Sequence, residues 1–151
     1  VNQIFETIGM AKVSTSALDA KKLGYLRDQD TVVVHQDHLI YEAKQAALRL
    51  VEQDYTPEPK EEIRVVGSEG KALLKLGAYQ MKLAGYISDH DQLIANKLAH
   101  VLAGGDVPAG TRVSEQYMLD LEREAFLSLC GEPKTRQRMQ YMLSKGKPLR
   151  N

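Results

Sequence analysis

Apolar side chains recur at intervals of three and four residues along most of the chain, which is the spacing of one buried helix face. One such stripe lies in residues 39–51, and four more follow residue 66. The stripes are Leu39, Ala43, Ala46 and Leu50; Ala72, Leu76, Tyr79, Leu83 and Tyr86; Ile94, Leu98, Val101 and Leu102; Tyr117, Met118, Leu121, Ala125 and Leu129; and Met139, Met142 and Leu143. The pattern predicts a mostly α fold in which these stripes are the buried faces.

Local signals mark several helix ends. Ser16 and Asp19 have capping-box spacing and Gly24 is a left-handed stop, so a helix of about seven residues is predicted between them. Ser88 and Ser114 predict two later helix starts, because a hydroxyl oxygen accepts a hydrogen bond from an otherwise unpaired amide of the first turn.

Strand-like sequence is scarce, and the strongest break in the chain is a Pro-rich segment. The β-branched run Thr31–His35 is one of only one or two strand-like segments, and we expect it to lack a partner. In Tyr55–Glu62, two prolines and three carboxylates interrupt any helix. We therefore expect three parts: short helices and one long helix over residues 1–54, an exposed connector over residues 55–66, and a helical bundle over residues 67–151.

Composition narrows the function classes. The 151 residues carry 20 Lys and Arg against 20 Asp and Glu, and a chain without net charge has no long-range field to attract nucleic acid. A single cysteine, Cys130, and the lack of a signal peptide favour a reducing, cytoplasmic setting. No apolar run reaches the roughly 18 residues of a membrane span. At 16.9 kDa we expect one core, with about 69% of the unfolded surface buried.

The histidines do not predict a metal site. His35 and His38 are three residues apart but straddle a strand-to-helix break with no third ligand nearby, and His90 lies at a helix start. We interpret these three as solvated polar residues. His100 lies near an apolar helix face and is expected to be partly buried there, and Cys130 is interpreted as a packing residue.

Catalytic motifs are also missing. The segment Val65–Gly70 has a strand-then-glycine character but lacks the third glycine and the following acidic residue of a dinucleotide site. The only local charge cluster that is a candidate ligand-binding site is the basic tail, formed by Lys145, Lys147 and Arg150. It can meet a phosphate-bearing ligand, although terminal lysines are more often simply solvated.

Separated segments of the chain resemble the crotonase (enoyl-CoA hydratase/isomerase) superfamily. Ser14–Leu26 is similar to the stretch that follows the catalytic core in that family, and Asp30–Val34 with the helix from His38 is similar to the elements that come next. Glu122–Pro148 is similar to the two final helices of the family.

Two further segments, Gly85–Asp91 and Val101–Asp106, resemble the bacterial 3-hydroxyacyl-CoA dehydrogenases of fatty-acid β-oxidation, as does the ending Lys145–Asn151. In that form a dinucleotide-binding dehydrogenase portion comes first and a crotonase-like portion last. The resemblance covers essentially the whole chain. It implies the multi-helix C-terminal region of a crotonase-like domain, with residues 1–54 as the tail of the crotonase-like core.

The resemblance implies a C-terminal fragment that is inactive by itself. The family's oxyanion-hole donors, acidic catalytic residues and NAD site lie upstream of the matched stretch, so no catalytic residue is carried over. NAD and an acyl-CoA thioester are expected in the parent enzyme, with no cofactor in this fragment. The helices are expected to contact the missing N-terminal portion or another copy in a homo-oligomer, and Lys145 and Lys147 are expected near the CoA phosphates.

Two other functions stay open at this point. One is a self-contained helical protein-interaction module without catalysis. The other, a small acyl-CoA-binding bundle, is disfavoured because only the tail offers phosphate contacts. We also expect the first 30 or so residues to be loosely held or engaged with another copy, since Ile4, Phe5 and Ile8 would otherwise be exposed.

Overall fold

The computed structural model describes residues 1–151, and α-helices make up most of it. There are seven of them: α1 (Asn2–Gly9), α2 (Ala17–Leu23), α3 (Leu39–Glu52), α4 (Gly67–Leu83), α5 (Asp89–Leu102), α6 (Glu115–Cys130) and α7 (Pro133–Lys145). A 3-10 turn at Gln36–His38 precedes α3. The prediction of a mostly α fold is confirmed. None of these helices combines the length and the apolar character that crossing a bilayer requires.

The strand content is small, as expected, but it lies elsewhere in the chain. Two strands, β1 (Ile63–Arg64) and β2 (Arg112–Val113), pair antiparallel, with Ile63 opposite Val113. Thr31–His35 forms no strand, because a strand is stabilised by a neighbour's backbone groups and none is offered to this segment. Its β-branched residues alone do not make a strand.

The chain divides into two compact units. The larger contains residues 1–11 and 60–151, and the smaller contains residues 12–59. The division between residues 59 and 60 falls inside the predicted connector. Helix α1 belongs to the larger unit, where it packs against α5 and buries Thr7.

In the smaller unit, the predicted short helix is present as α2. The Ser16 hydroxyl accepts from the Asp19 amide at 3.1 Å, and Gly24 ends the helix with φ +84°. The Asp19 carboxylate accepts from the amide of Thr15 at 3.0 Å rather than from that of Ser16. Helix α3, by contrast, has no buried residue.

In the larger unit, α4 and α5 form an antiparallel hairpin with a core of small side chains. The amide of Gly67, which opens α4, donates to the carbonyl of Ala103 just after α5 at 3.0 Å. Helix α6 packs on α5, and α7 packs on α6. The buried apolar residues of this unit are Val65, Leu74, Ala78, Ala99, Ala103, Val113 and Ala125. No large side chain of the whole chain is fully buried.

The predicted starts of α5 and α6 are confirmed by their caps. Ser88 forms a complete capping box with Asp91: the hydroxyl accepts from the Asp91 amide at 3.1 Å, and the carboxylate accepts from the Ser88 amide at 3.0 Å. Ser114 accepts from the Tyr117 amide at 3.1 Å.

The buried face of α4 is the opposite of the predicted one. All five residues of its predicted stripe are exposed, and the helix buries Leu74 and Ala78 instead. The buried face thus carries one large side chain, Leu74, and most of the large apolar side chains of α4 are exposed. The large exposed side chains of α4 and of the turn after it are here called the outer α4 stripe: Leu73, Leu76, Tyr79, Leu83 and Tyr86. The predicted stripes of α3 and α7 are also largely exposed, whereas those of α5 and α6 are mostly half-buried or buried.

The chain exposes more surface than its size predicts. Its accessible surface is 11553 Å², against roughly 7,700 Å² for one compact protein of this mass and roughly 9,100 Å² for two separate compact bodies of these sizes. The expected burial in a single core is therefore wrong. Large apolar side chains of α3, α4 and α7 are among the exposed ones.

Candidate functional site

The basic tail predicted from the sequence is exposed at the end of α7. Lys145 is the last residue of the helix, and Gly146 ends it with φ +63°. Both Lys145 and Lys147 are exposed, and no carboxylate of the chain forms an ion pair with either. The end of the chain is held by Asn151, whose side-chain oxygen accepts from Nε of Arg138 at 2.8 Å.

A second cationic site, which the sequence analysis missed, lies between α4 and α5. It is a groove of about 380 Å³, here called the basic groove, and it is lined by Lys71, Lys75, Leu93, Asn96, Lys97, His100 and Asp106. Helical spacing was the available signal: two lysines four residues apart share a face of α4, and positions 93, 96, 97 and 100 share a face of α5. Nothing in the spacing showed that the two faces meet.

One lysine of the basic groove is held by a loop carboxylate. Lys71, only 13% exposed, forms an ion pair with Asp106, which is 74% exposed. His100 Nδ1 lies 3.9 Å from the other carboxylate oxygen of Asp106. No carboxylate pairs with Lys75 or Lys97 within the chain. The groove therefore carries three ammonium groups against one carboxylate.

Two further groups characterise the lining of the basic groove. Burial lowers the pKa of His100, and the charges of Lys71, Lys75 and Lys97 lower it further, whereas Glu124 opposes them. His100 is partly buried, as predicted from its helix position. The side-chain oxygen of Asn96 is buried without a hydrogen-bond partner in the chain. An unpaired buried acceptor is uncommon, because it has lost its water without a replacement.

His90 is not the solvated residue that the sequence predicted. It is buried, and its Nε2 lies 2.9 Å from Oγ1 of Thr135, which joins the start of α5 to α7. Burial lowers the pKa of His90, and the positive charges of Arg138 and Lys134 add to this effect. The prediction failed because the neighbouring Asp89 and Asp91 indicated a solvent-exposed helix start, whereas Thr135 of α7 contacts His90 there.

His35 and His38 lie in the smaller unit and are exposed. Their ring centroids are 5.2 Å apart, and His35 Nδ1 lies 3.7 Å from a carboxylate oxygen of Asp37. The chain contains no cluster of three or more side chains that could hold a metal ion. Cys130 is half-buried at the end of α6.

The fold and its sites define a helical segment with unpartnered apolar faces and one cationic groove, without a constellation of catalytic side chains. Over 147 residues, or 97% of the chain, it is 58% identical to a segment of a probable 3-hydroxyacyl-CoA dehydrogenase of Bacillus subtilis (strain 168). The chain spans 19% of that protein and is homologous to that segment. No family model matches the chain, and no solved structure matches it.

A dehydrogenase relative implies NAD, and the residues of this chain do not fit that cofactor. The only sheet has two antiparallel strands, whereas a dinucleotide fold needs parallel strands joined through a helix. The glycine positions that open α4 are filled by protein: an atom at the Cβ position of Gly67 would lie 2.5 Å from the backbone of Val107, Pro108 and Ala109. No room for a pyrophosphate is left there.

Proposed function

We propose that this chain is the C-terminal helical portion of a cytoplasmic fatty-acid β-oxidation enzyme, a 3-hydroxyacyl-CoA dehydrogenase that uses NAD and carries an enoyl-CoA hydratase-like portion. The observation that carries the proposal is 58% identity along 97% of the chain to a segment of a probable 3-hydroxyacyl-CoA dehydrogenase. The parent enzyme would hydrate an enoyl-CoA and oxidise the 3-hydroxyacyl-CoA. This portion contributes packing and oligomer contacts and has no catalytic residue of its own.

The exposed apolar surface supports a packing role. The outer α4 stripe presents four large apolar or aromatic side chains on α4 and a fifth, Tyr86, in the turn after it, and α3 buries none of its residues. Monomeric proteins rarely expose contiguous apolar surface of this kind, which usually marks an interface. The excess surface also weighs against a self-contained interaction module, because such a module has to bury its own core.

The proposal is tested by exchanging segments between the two proteins. We expect the Bacillus protein to keep its assembly and its 3-hydroxyacyl-CoA dehydrogenase activity when this chain replaces its matched segment. If the two segments have the same packing role, their contacts with the rest of the enzyme are the same. We expect the isolated chain to show no hydratase or dehydrogenase turnover. Size-exclusion chromatography and NADH absorbance provide the two readouts.

The control for the exchange is the same chimera with Leu76→Asp and Leu83→Asp on the outer α4 stripe. Burying unpaired carboxylates at an interface is costly, so we expect assembly to weaken by about a hundredfold or more. The chimera with the native Leu76 and Leu83 is the reference for both changes. An inactive, correctly assembled chimera, or turnover by the isolated chain, would contradict the proposal.

The proposal also includes a contact between the tail and CoA. Lys145 and Lys147 are exposed and unpaired, so their ammonium groups are available to phosphate oxygens. We expect titration with acetoacetyl-CoA to show binding that becomes about three- to tenfold weaker when both lysines are changed to Ala. Isothermal titration calorimetry at constant ionic strength measures the change, and unchanged affinity would rule out the tail contact.

A further inference from the structure

The basic groove has a charge arrangement that the proposed function does not use. Lys71 and Lys75 come from α4 and Lys97 from α5, so two helices of one hairpin supply the three lysines of its lining. The charges of all three lower the pKa of His100, which lies in the same lining. The hairpin is held at both ends: the backbone joins Gly67 to Ala103 at 3.0 Å at one end, and the short turn between the helices closes the other. Cations that repel one another are thus kept in one concave site by the packing of the helices.

The carboxylate that shares this groove is poorly placed to neutralise it. Asp106 pairs with Lys71 from a loop position and is 74% exposed, so solvent competes with the ion pair. Because an exposed ion pair contributes little free energy, a more highly charged anion can displace the carboxylate. Lys75 and Lys97 have no carboxylate partner in the chain.

We propose that the basic groove is a binding site for the phosphate groups of a phosphorylated small molecule. The phosphate oxygens would lie among the three ammonium groups and replace the Asp106 carboxylate at Lys71. The unpartnered oxygen of Asn96 would accept a hydrogen bond from a hydroxyl or amide N–H of the same ligand. Leu93 provides the apolar part of the lining.

Phosphate fits better than the other anions that lysines attract. A carboxylate is already present in the groove and leaves two ammonium groups unpaired, whereas a phosphate offers three or more acceptor oxygens and a higher charge. A nucleic-acid backbone is disfavoured as the ligand because the chain has no net charge to attract it. The groove is also a small local site and not an extended basic surface along which a backbone could lie. The inference rests on the groove residues and does not depend on the proposed function.

The probe is inorganic pyrophosphate, added to the full chain and followed by nuclear magnetic resonance of the Asn96 side-chain amide and the His100 ring. We expect saturable shifts at both residues and a rise in the pKa of His100, because a bound anion stabilises the imidazolium form of the ring. The other charged groups around this ring are Lys71, Lys75, Lys97, Glu124 and Asp106. Sodium chloride at matched ionic strength should not reproduce the shifts. Pyrophosphate that causes no saturable shift would overturn the proposal.

Substitutions locate the site. We expect Lys75→Gln and Lys97→Gln each to weaken pyrophosphate binding about tenfold or more, since each removes a charged hydrogen-bond donor. Asp106→Asn should strengthen binding, because it removes the competing carboxylate; a purely structural role for these residues would not produce that opposite sign. Lys44→Gln in the smaller unit is the charge-matched control, and Lys145→Gln tests whether the tail binds the probe instead. Binding that depends on the tail and not on the groove would overturn the proposal.

The source of the phosphate is distinguished by two further ligands. CoA that binds with the same dependence on Lys75 and Lys97 indicates the phosphates of a CoA ester, and pyrophosphate binding without CoA binding indicates a smaller free phosphate. Either result supports a phosphate site. Pantetheine lacks phosphate, so resonance shifts with pantetheine that equal those with CoA would overturn the proposal of a phosphate site. Because pyrophosphate reports on the groove and the chimera reports on the parent enzyme, failure of one proposal is distinguishable from failure of the other.

Discussion

Replacing Gly67 by Ala is expected to lower the free energy of unfolding of the larger unit by about 3 kcal/mol or more. Gly67 opens α4 with φ +63°, a conformation that L side chains rarely adopt. A Cβ there would also lie 2.5 Å from three backbone atoms of residues 107–109, which cannot move aside as a flexible side chain can. Urea unfolding followed by circular dichroism measures the loss.

The matched control lies on the same helix. Gly77 is exposed in the interior of α4, with no atom within 4 Å of its Cβ position. We expect Gly77→Ala to raise the free energy of unfolding by about 0.5–1 kcal/mol, because Ala loses less backbone entropy in a helix. If Gly67→Ala were as stable as the wild type, the described junction between the start of α4 and the loop after α5 would be incorrect.

Replacing Arg138 by Met is expected to lower the free energy of unfolding by about 2–3 kcal/mol at neutral pH. Arg138 donates to the Asp91 carboxylate at 2.7 Å and to the side-chain oxygen of Asn151 at 2.8 Å, so it joins α5, α7 and the end of the chain. Both side chains of the ion pair are about four-fifths buried. Met keeps much of the volume but leaves the Asp91 carboxylate without its partner.

The effect of Arg138→Met should depend on pH in a defined direction. Burial alone would raise the pKa of Asp91, but hydrogen bonds from Ser88 and Arg138 outweigh it and hold this pKa below its ordinary value of 3.8. A lowered carboxyl pKa contributes stability above its unfolded value, and this stability is lost as pH falls through the folded value. The difference between wild type and variant should therefore shrink in acid.

Arg123→Met is the control for Arg138→Met. Arg123 pairs with Asp120 at 2.7 Å on the exposed surface of α6, with more than half of each side chain exposed. Such a pair contributes about 0–1 kcal/mol, so the variant should unfold almost as the wild type does. Equal losses in the two variants would contradict the difference in burial on which the prediction depends.

Much of the secondary structure was predictable because its causes are local. Ser16, Ser88 and Ser114 cap helices through hydrogen bonds to amides three residues away, and Gly24 ends α2 through its own backbone freedom. The basic cluster of the tail is also visible in the sequence, since Lys145 and Lys147 are close neighbours, but its contact with CoA stays a prediction. His90 was predicted incorrectly because its partner Thr135 is 45 residues away in sequence.

The sequence alone determined the helical class of the fold, the positions of the caps and the absence of a dinucleotide-binding motif, since each depends on residues within a turn or two of one another. Only the tertiary structure decided which face of α4 is buried and that Lys71, Lys75 and Lys97 line one groove. Helical spacing places residues on a face but does not say what lies opposite that face. In α4 both faces carry apolar residues, and the face with Leu74 and Ala78 is the buried one. That choice exposed the outer α4 stripe and created the basic groove.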